Sequence, residues 1–105
     1  MKKIVKITHI GETKEGVSQK TGKEWALTDI DVKWTVEHPG QESYEQSCVG
    51  SVRGWVNDAA VRKCIAEGTE VTITMYVSVR EWNDKHFTNV EIYLPKELMF
   101  DAKPL

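Results

Sequence analysis

Asn57-Asp58-Ala59-Ala60-Val61-Arg62-Lys63-Cys64-Ile65-Ala66-Glu67-Gly68 is the one stretch of this chain that reads as a helix, and its place among strands decides the fold. Asparagine at position 57 has a side-chain oxygen able to accept from the unpaired N–H groups of a first helical turn. Asp58 adds negative charge where the helix dipole favours it. Val61, Cys64 and Ile65 recur at three- and four-residue spacing and so share one helical face. Gly68 stands where a left-handed residue commonly ends a helix. The spacing predicts a helix over Asp58 to Glu67.

Outward from that helix, the apolar period is two rather than 3.6. Upstream, Lys3 to Ile10 is a β-branched run closed by Gly11, and Glu12 to Glu24, with Gly16, Ser18, Thr21 and Gly22, reads as a polar loop. Trp25 to Val36 alternates, with Ala26, Thr28, Ile30, Val32, Trp34 and Val36 on one face. Trp25, Leu27, Asp29, Asp31 and Lys33 make the other. Glu37 to Glu42 contains Pro39-Gly40 and reads as a turn, followed by a third strand from Ser43 to Val49 or Val52. Downstream, Thr69 to Arg80 sets Val71, Ile73, Met75, Val77 and Val79 against Thr72, Thr74, Tyr76, Ser78 and Arg80. Asn83-Asp84-Lys85 is a turn, and His86 to Leu94 a last strand with Thr88, Val90, Ile92 and Leu94 inward. Pro95 stops it.

The expected class is all-β: a five-stranded OB-fold Greek-key barrel with one short helix between strands 3 and 4. An SH3-like barrel has no natural place for that helix. The barrel domain is expected over residues 1–95, with 96–105 as a C-terminal tail. A chain of 105 residues fits one core and no second domain. No segment is long and apolar enough to span a bilayer, and Lys6 and His9 interrupt the start, so a cytoplasmic protein is expected.

The two cysteines, Cys48 and Cys64, match no common zinc spacing, and the three histidines (His9, His38 and His86) are scattered. No metal or other cofactor is expected, and both cysteines read as small buried hydrophobes. Asp29 and Asp31, two apart on a strand, have the chemistry to hold Mg²⁺, yet no third acid or activating base accompanies them at a recognisable spacing. With no phosphate-binding loop, nucleophile elbow or dinucleotide fingerprint, an enzyme is not expected.

Glu67-Gly68-Thr69-Glu70-Val71-Thr72-Ile73, Val79-Arg80-Glu81-Trp82-Asn83-Asp84 and Phe87-Thr88-Asn89-Val90-Glu91-Ile92 resemble the bacterial single-stranded-DNA-binding protein family in its helix end, fourth strand, Arg-x-Trp hairpin and closing strand. Gly22-Lys23-Glu24-Trp25-Ala26, leading to Trp34, is a weaker match. Short bacterial and phage OB-fold proteins of unassigned function show the same pattern. The resemblance extends loosely over Lys3 to Tyr93 and implies single-stranded DNA binding in replication or repair, and homo-oligomerisation. That family commonly ends in a Gly- and Pro-rich tail with an acidic tip. The residues after Pro95 carry no such tail, so partner recruitment by that route is not expected.

Non-specific single-strand binding needs exposed aromatics for base stacking and cations for phosphates. Lys14, Lys20 and Lys23 lead into Trp25, and Lys33 lies further along the same strand face. Arg80, Trp82, Lys85 and Phe87 flank the last turn. The fold is expected to bring both groups to one side. By parity Trp34 belongs to the core, and Trp55 is expected to pack on the helix it precedes. Tyr44, Tyr76, Phe87 and Tyr93 point outward. The net charge of −2, and two carboxylates on the face of Trp25, run against tight phosphate binding. The alternative is an oligomeric protein–protein adaptor of the same fold. RNA in place of DNA stays open.

Overall fold

In a computed structural model, which describes residues 1–103, the strand order is β1-β2-β3-β5-β4 in a closed barrel. The strands are β1 (Lys2–Val17), β2 (Glu24–Val36), β3 (Tyr44–Arg53), β4 (Glu70–Trp82) and β5 (Lys85–Tyr93), with helix α1 (Asp58–Glu67) between β3 and β4. That is the OB-fold arrangement the sequence predicts. The ladders are antiparallel except β3–β5, which meet in parallel at Ser51 and Glu91.

The helix forms where its caps specify. Asn57 accepts at its side chain from the Ala60 N–H at 3.3 Å, and Gly68 adopts the left-handed φ of 65°. Val61 is fully buried against the barrel, worth about 1.5–3 kcal/mol relative to exposure. Cys64 and Ile65 pack beside it as half-buried neighbours. The core it caps includes Val5, Ile7, Ile30, Val32, Val52, Ile73, Met75 and Ile92.

Strand β1 differs from expectation. It runs on through Val17, leaving only residues 18–23 as the loop, and crosses register shifts between Ile7 and His9 and between Ile10 and Thr13. Gly11 marks a bulge rather than an end. A Cβ there would sit 3.0 Å from the Asp29 carbonyl oxygen, so glycine lets the two strands stay close. Beyond it the pairing is sustained by β2, with the Thr13 and Thr28 hydroxyls 2.7 Å apart.

The far halves of β4 and β5 also depart from the expected burial. Apolar and polar residues still alternate in sequence, but neither row is covered: Val77 and Val79 are 57% and 62% exposed, and Thr88 is exposed too. The β1 ladder reaches only Thr74, so from Tyr76 to Asn89 the two strands project as a two-stranded arm. Asn83 and Asp84 close it with φ of 51° and 60°, the two-residue turn whose twist matches a hairpin.

Residues from Lys96, given above as a tail, begin with a 3-10 turn over Lys96–Leu98. Leu98 is in the core, and the Phe100 N–H donates to the Trp55 carbonyl at 2.8 Å. Residues 104 and 105 of that segment lie outside the described residues. No helix among the described residues is long and apolar enough to cross a membrane.

Candidate nucleic-acid interface

Strand parity sets which side chains the barrel presents. On the outer face, β2 and β3 pair Leu27 with Arg53, Asp29 with Ser51, Asp31 with Val49 and Lys33 with Ser47. The hairpin arm continues the same face, because Glu91 of β5 lies opposite Ser51 of β3. There β4 and β5 pair Tyr76 with Glu91, Arg80 with Phe87 and Trp82 with Lys85. Each of the last two pairs sets a cation directly across from a ring. Trp82 is 67% exposed and Phe87 49%. Closer to the barrel, the Tyr76 and Tyr93 rings meet edge to face with centroids 5.5 Å apart.

The loop set lies elsewhere. Lys14 is on β1, level with Leu27, and Lys20 and Lys23 are exposed on the 18–23 loop. Trp25, the second residue of β2, is 46% exposed, and its ring lies over Gly16, where an added Cβ would come within 2.6 Å of the indole. Glycine there makes room for the ring. The two sets leave opposite ends of the barrel. Strand β1 is antiparallel to both neighbours, so β4 runs back past Met1 to the hairpin while β1 runs forward to the loop. The expectation that both would gather on one side is corrected: they flank the outer face of β2 and β3 from its two ends. Lys33 belongs to neither set. It is half-buried, with its ammonium 3.9 Å from Glu45.

Between the ends the face is acidic. Asp29 accepts from the Ser51 hydroxyl at 2.9 Å, and Asp31 is half-buried beside it. Among the described residues no three His, Cys, Asp or Glu side chains gather as a metal site. Burial pushes the Cys48 thiol up, with Lys3 opposing and Asp31 assisting. That is the behaviour of a packing residue rather than of an activated nucleophile.

Trp34 is half-buried against the core, as parity predicts, with the Lys3 ammonium 4.0 Å from its ring centroid. Its indole N–H is buried without a hydrogen-bond partner. Trp55, which immediately precedes the helix, donates its indole N–H to Glu15 at 3.4 Å and lines a cleft with Trp25. Arg53, which the sequence reading passed over, is 3.1 Å from Glu91, whose carboxylate also accepts from the Tyr93 hydroxyl at 3.0 Å. That hydrogen bond is the main reason the Tyr93 pKa is raised. One signal points to both residues. Arg53-Gly54-Trp55 has the spacing of Arg80-Glu81-Trp82, so an arginine two residues before a tryptophan occurs at each end of the face.

No family model matches the chain, and no curated protein matches it. Among solved structures, a Plasmodium falciparum SSB in complex with ssDNA aligns with a TM-score of 0.45 and 10% sequence identity, covering 90% of this chain and 83% of that one. The OB-fold assignment rests on this chain's own barrel order and helix position.

Proposed function

We propose that this OB-fold domain binds single-stranded DNA without sequence preference, acting as a binding module and not as an enzyme. The observation that carries the reading is the hairpin arm, where Arg80 faces Phe87 and Trp82 faces Lys85 across the ladder. A base stacked on either ring gains roughly 1–3 kcal/mol regardless of its identity, because every base has a π face. The cation beside each ring meets the phosphate that the stacked base brings with it. Lys14, Lys20, Lys23 and Trp25 extend the track at the other barrel end, and Lys33 lies along the face between them.

The deciding experiment is a tryptophan-emission titration of the full chain with a thymine oligonucleotide at two salt concentrations. Quenching is expected, with affinity falling as salt rises, at a log–log slope of about −0.7 per phosphate neutralised. Absence of quenching at low salt by the folded protein overturns the reading.

A second reading has its own observation. Val77 and Val79 form an exposed apolar row on the opposite side of the arm, the kind of surface that meets a protein partner. An oligomeric adaptor using that row would associate with little dependence on salt, which separates it from phosphate contact.

A further inference from the structure

We propose that the cleft between Trp25 and Trp55 is a second base-binding subsite, which takes one unpaired nucleobase of the same DNA strand that the hairpin arm engages. The inference rests on the single-strand reading above and adds a second point of attachment to it.

The cleft has a volume of about 380 Å³, within the usual range for small-ligand sites, and is lined by Glu24, Trp25, Ala26, Leu27, Arg53, Gly54 and Trp55. Two indoles supply flat apolar surface, and few polar groups interrupt it. Both rings are set before any ligand arrives. Trp25 lies over Gly16, and Trp55 is tethered through its N–H to Glu15. A stacking platform that is already ordered loses less side-chain entropy on binding.

Position and charge select the occupant. Leu27 and Arg53 are the last outward pair of the β2–β3 ladder, so the cleft opens onto the face that ends at the hairpin arm. The Arg53 side chain lines the cleft at 78% exposure and pairs through Nε with Glu91 at 3.1 Å, so its guanidinium is the cation offered at the mouth to a phosphate attached to a seated base. A cationic protein side chain is the competing occupant for a site made of two tryptophans and acids. Glu15 beside the cleft is already matched by the Lys103 ammonium at 3.3 Å, and the two charged groups of the lining, Glu24 and Arg53, are of opposite sign, so the lining carries no net charge to draw a second cation. A neutral aromatic ring carrying a phosphate fits this balance better.

Two attachment points separated by the acidic stretch at Asp29 and Asp31 behave as a linked pair. Once one end holds the strand, the other binds it at a high effective concentration, provided the strand is long enough to span both. Length dependence is therefore the signature. The test compares thymine oligonucleotides of about 4 and about 16 nucleotides, the range of site sizes for one OB-fold. Wild type, Trp55→Ala, Trp55→Phe and Trp82→Ala are each titrated as the full chain, with circular dichroism confirming the fold.

The wild type is expected to bind the longer strand far better than the shorter one. Trp55→Ala and Trp82→Ala should each erase most of that advantage, costing roughly 5- to 150-fold on the longer strand, while Trp55→Phe keeps it. If Trp55→Ala keeps the wild-type ratio of long to short affinities, the subsite is overturned. That holds also when both affinities drop together, since equal loss marks a structural role. If the wild type binds neither length, the single-strand reading itself fails, and the subsite with it.

Discussion

The two ends of the barrel present tryptophan in opposite ways. At the loop end the rings are held: Trp25 lies over Gly16, and Trp55 is hydrogen-bonded to a carboxylate that Lys103 in turn holds. At the hairpin end Trp82 and Phe87 stand on a two-stranded arm beyond the reach of β1, with cations across the ladder. A held ring offers a fixed gap at low ordering cost, whereas a ring on a projecting arm can follow a mobile strand but must be ordered when it binds. On the proposed reading, the held loop end would select for the shape of a single ring, and the projecting hairpin end would accommodate the strand that passes it.

Removing one ring from each end attacks the comparison most strongly. The Trp82→Ala, Trp25→Ala double variant should lose about 2–6 kcal/mol of binding, two stacking contributions, with the barrel intact. Both positions are outside the core cluster, so circular dichroism and thermal melting should match the wild type. An affinity equal to wild type in the emission titration would break the site at both ends at once.

A smaller effect lies between the ends. Asp29 and Asp31 put two carboxylates on the face a bridging strand must cross, with the Ser51 hydroxyl as one local partner. Replacing both by Asn removes repulsion without removing volume. Long oligonucleotides should bind more tightly, by at most about 1 kcal/mol for each charge given their contact with solvent. The gain should shrink as salt rises. A short oligonucleotide held at one end alone should gain less. An equal gain for both lengths would mean that the strand does not cross this face.

The helix and its neighbours were legible because their determinants are local. Asn57 and Gly68 cap whatever lies between them, and the alternation of Trp25 to Val36 names its buried row directly. What failed to show depends on distant chain. Gly11 reads as a terminator until Asp29 is known to lie against it, and polar residues 12–17 have no period of their own because β2 holds them extended. Val77 and Val79 carry the inward parity of their strand, but parity specifies a face and not whether anything covers it. Of the candidate site, the four hairpin residues could be read together because one turn joins them. Trp55 follows the end of a strand, where no period assigns it a side, and only the repeated Arg-x-Trp spacing hinted at its partner.

The smallest expected effect tests the tether at the loop end. Glu15 accepts from the Trp55 indole and meets the Lys103 ammonium, and these contacts, the indole first, hold its carboxyl below the ordinary value of 4.5. A carboxylate depressed by folding contributes its stabilisation above the unfolded value and loses it as pH falls through the folded one. The tether is therefore intact from neutral pH down to the ordinary carboxylate range and is lost only below it. Glu24 lines the same cleft, so acidification alone does not isolate Glu15. The difference in tryptophan emission between wild type and Glu15→Gln does, because the variant cannot titrate at that position. That difference should be constant near neutrality and should collapse below 4.5, before global unfolding. Both partners of the tether are largely solvated, so the melting temperature should barely move. If the emission difference survives to the acid-unfolding transition, Trp55 is positioned by the surrounding backbone rather than by Glu15. The contrast between a held end and a projecting end would then be one of packing alone.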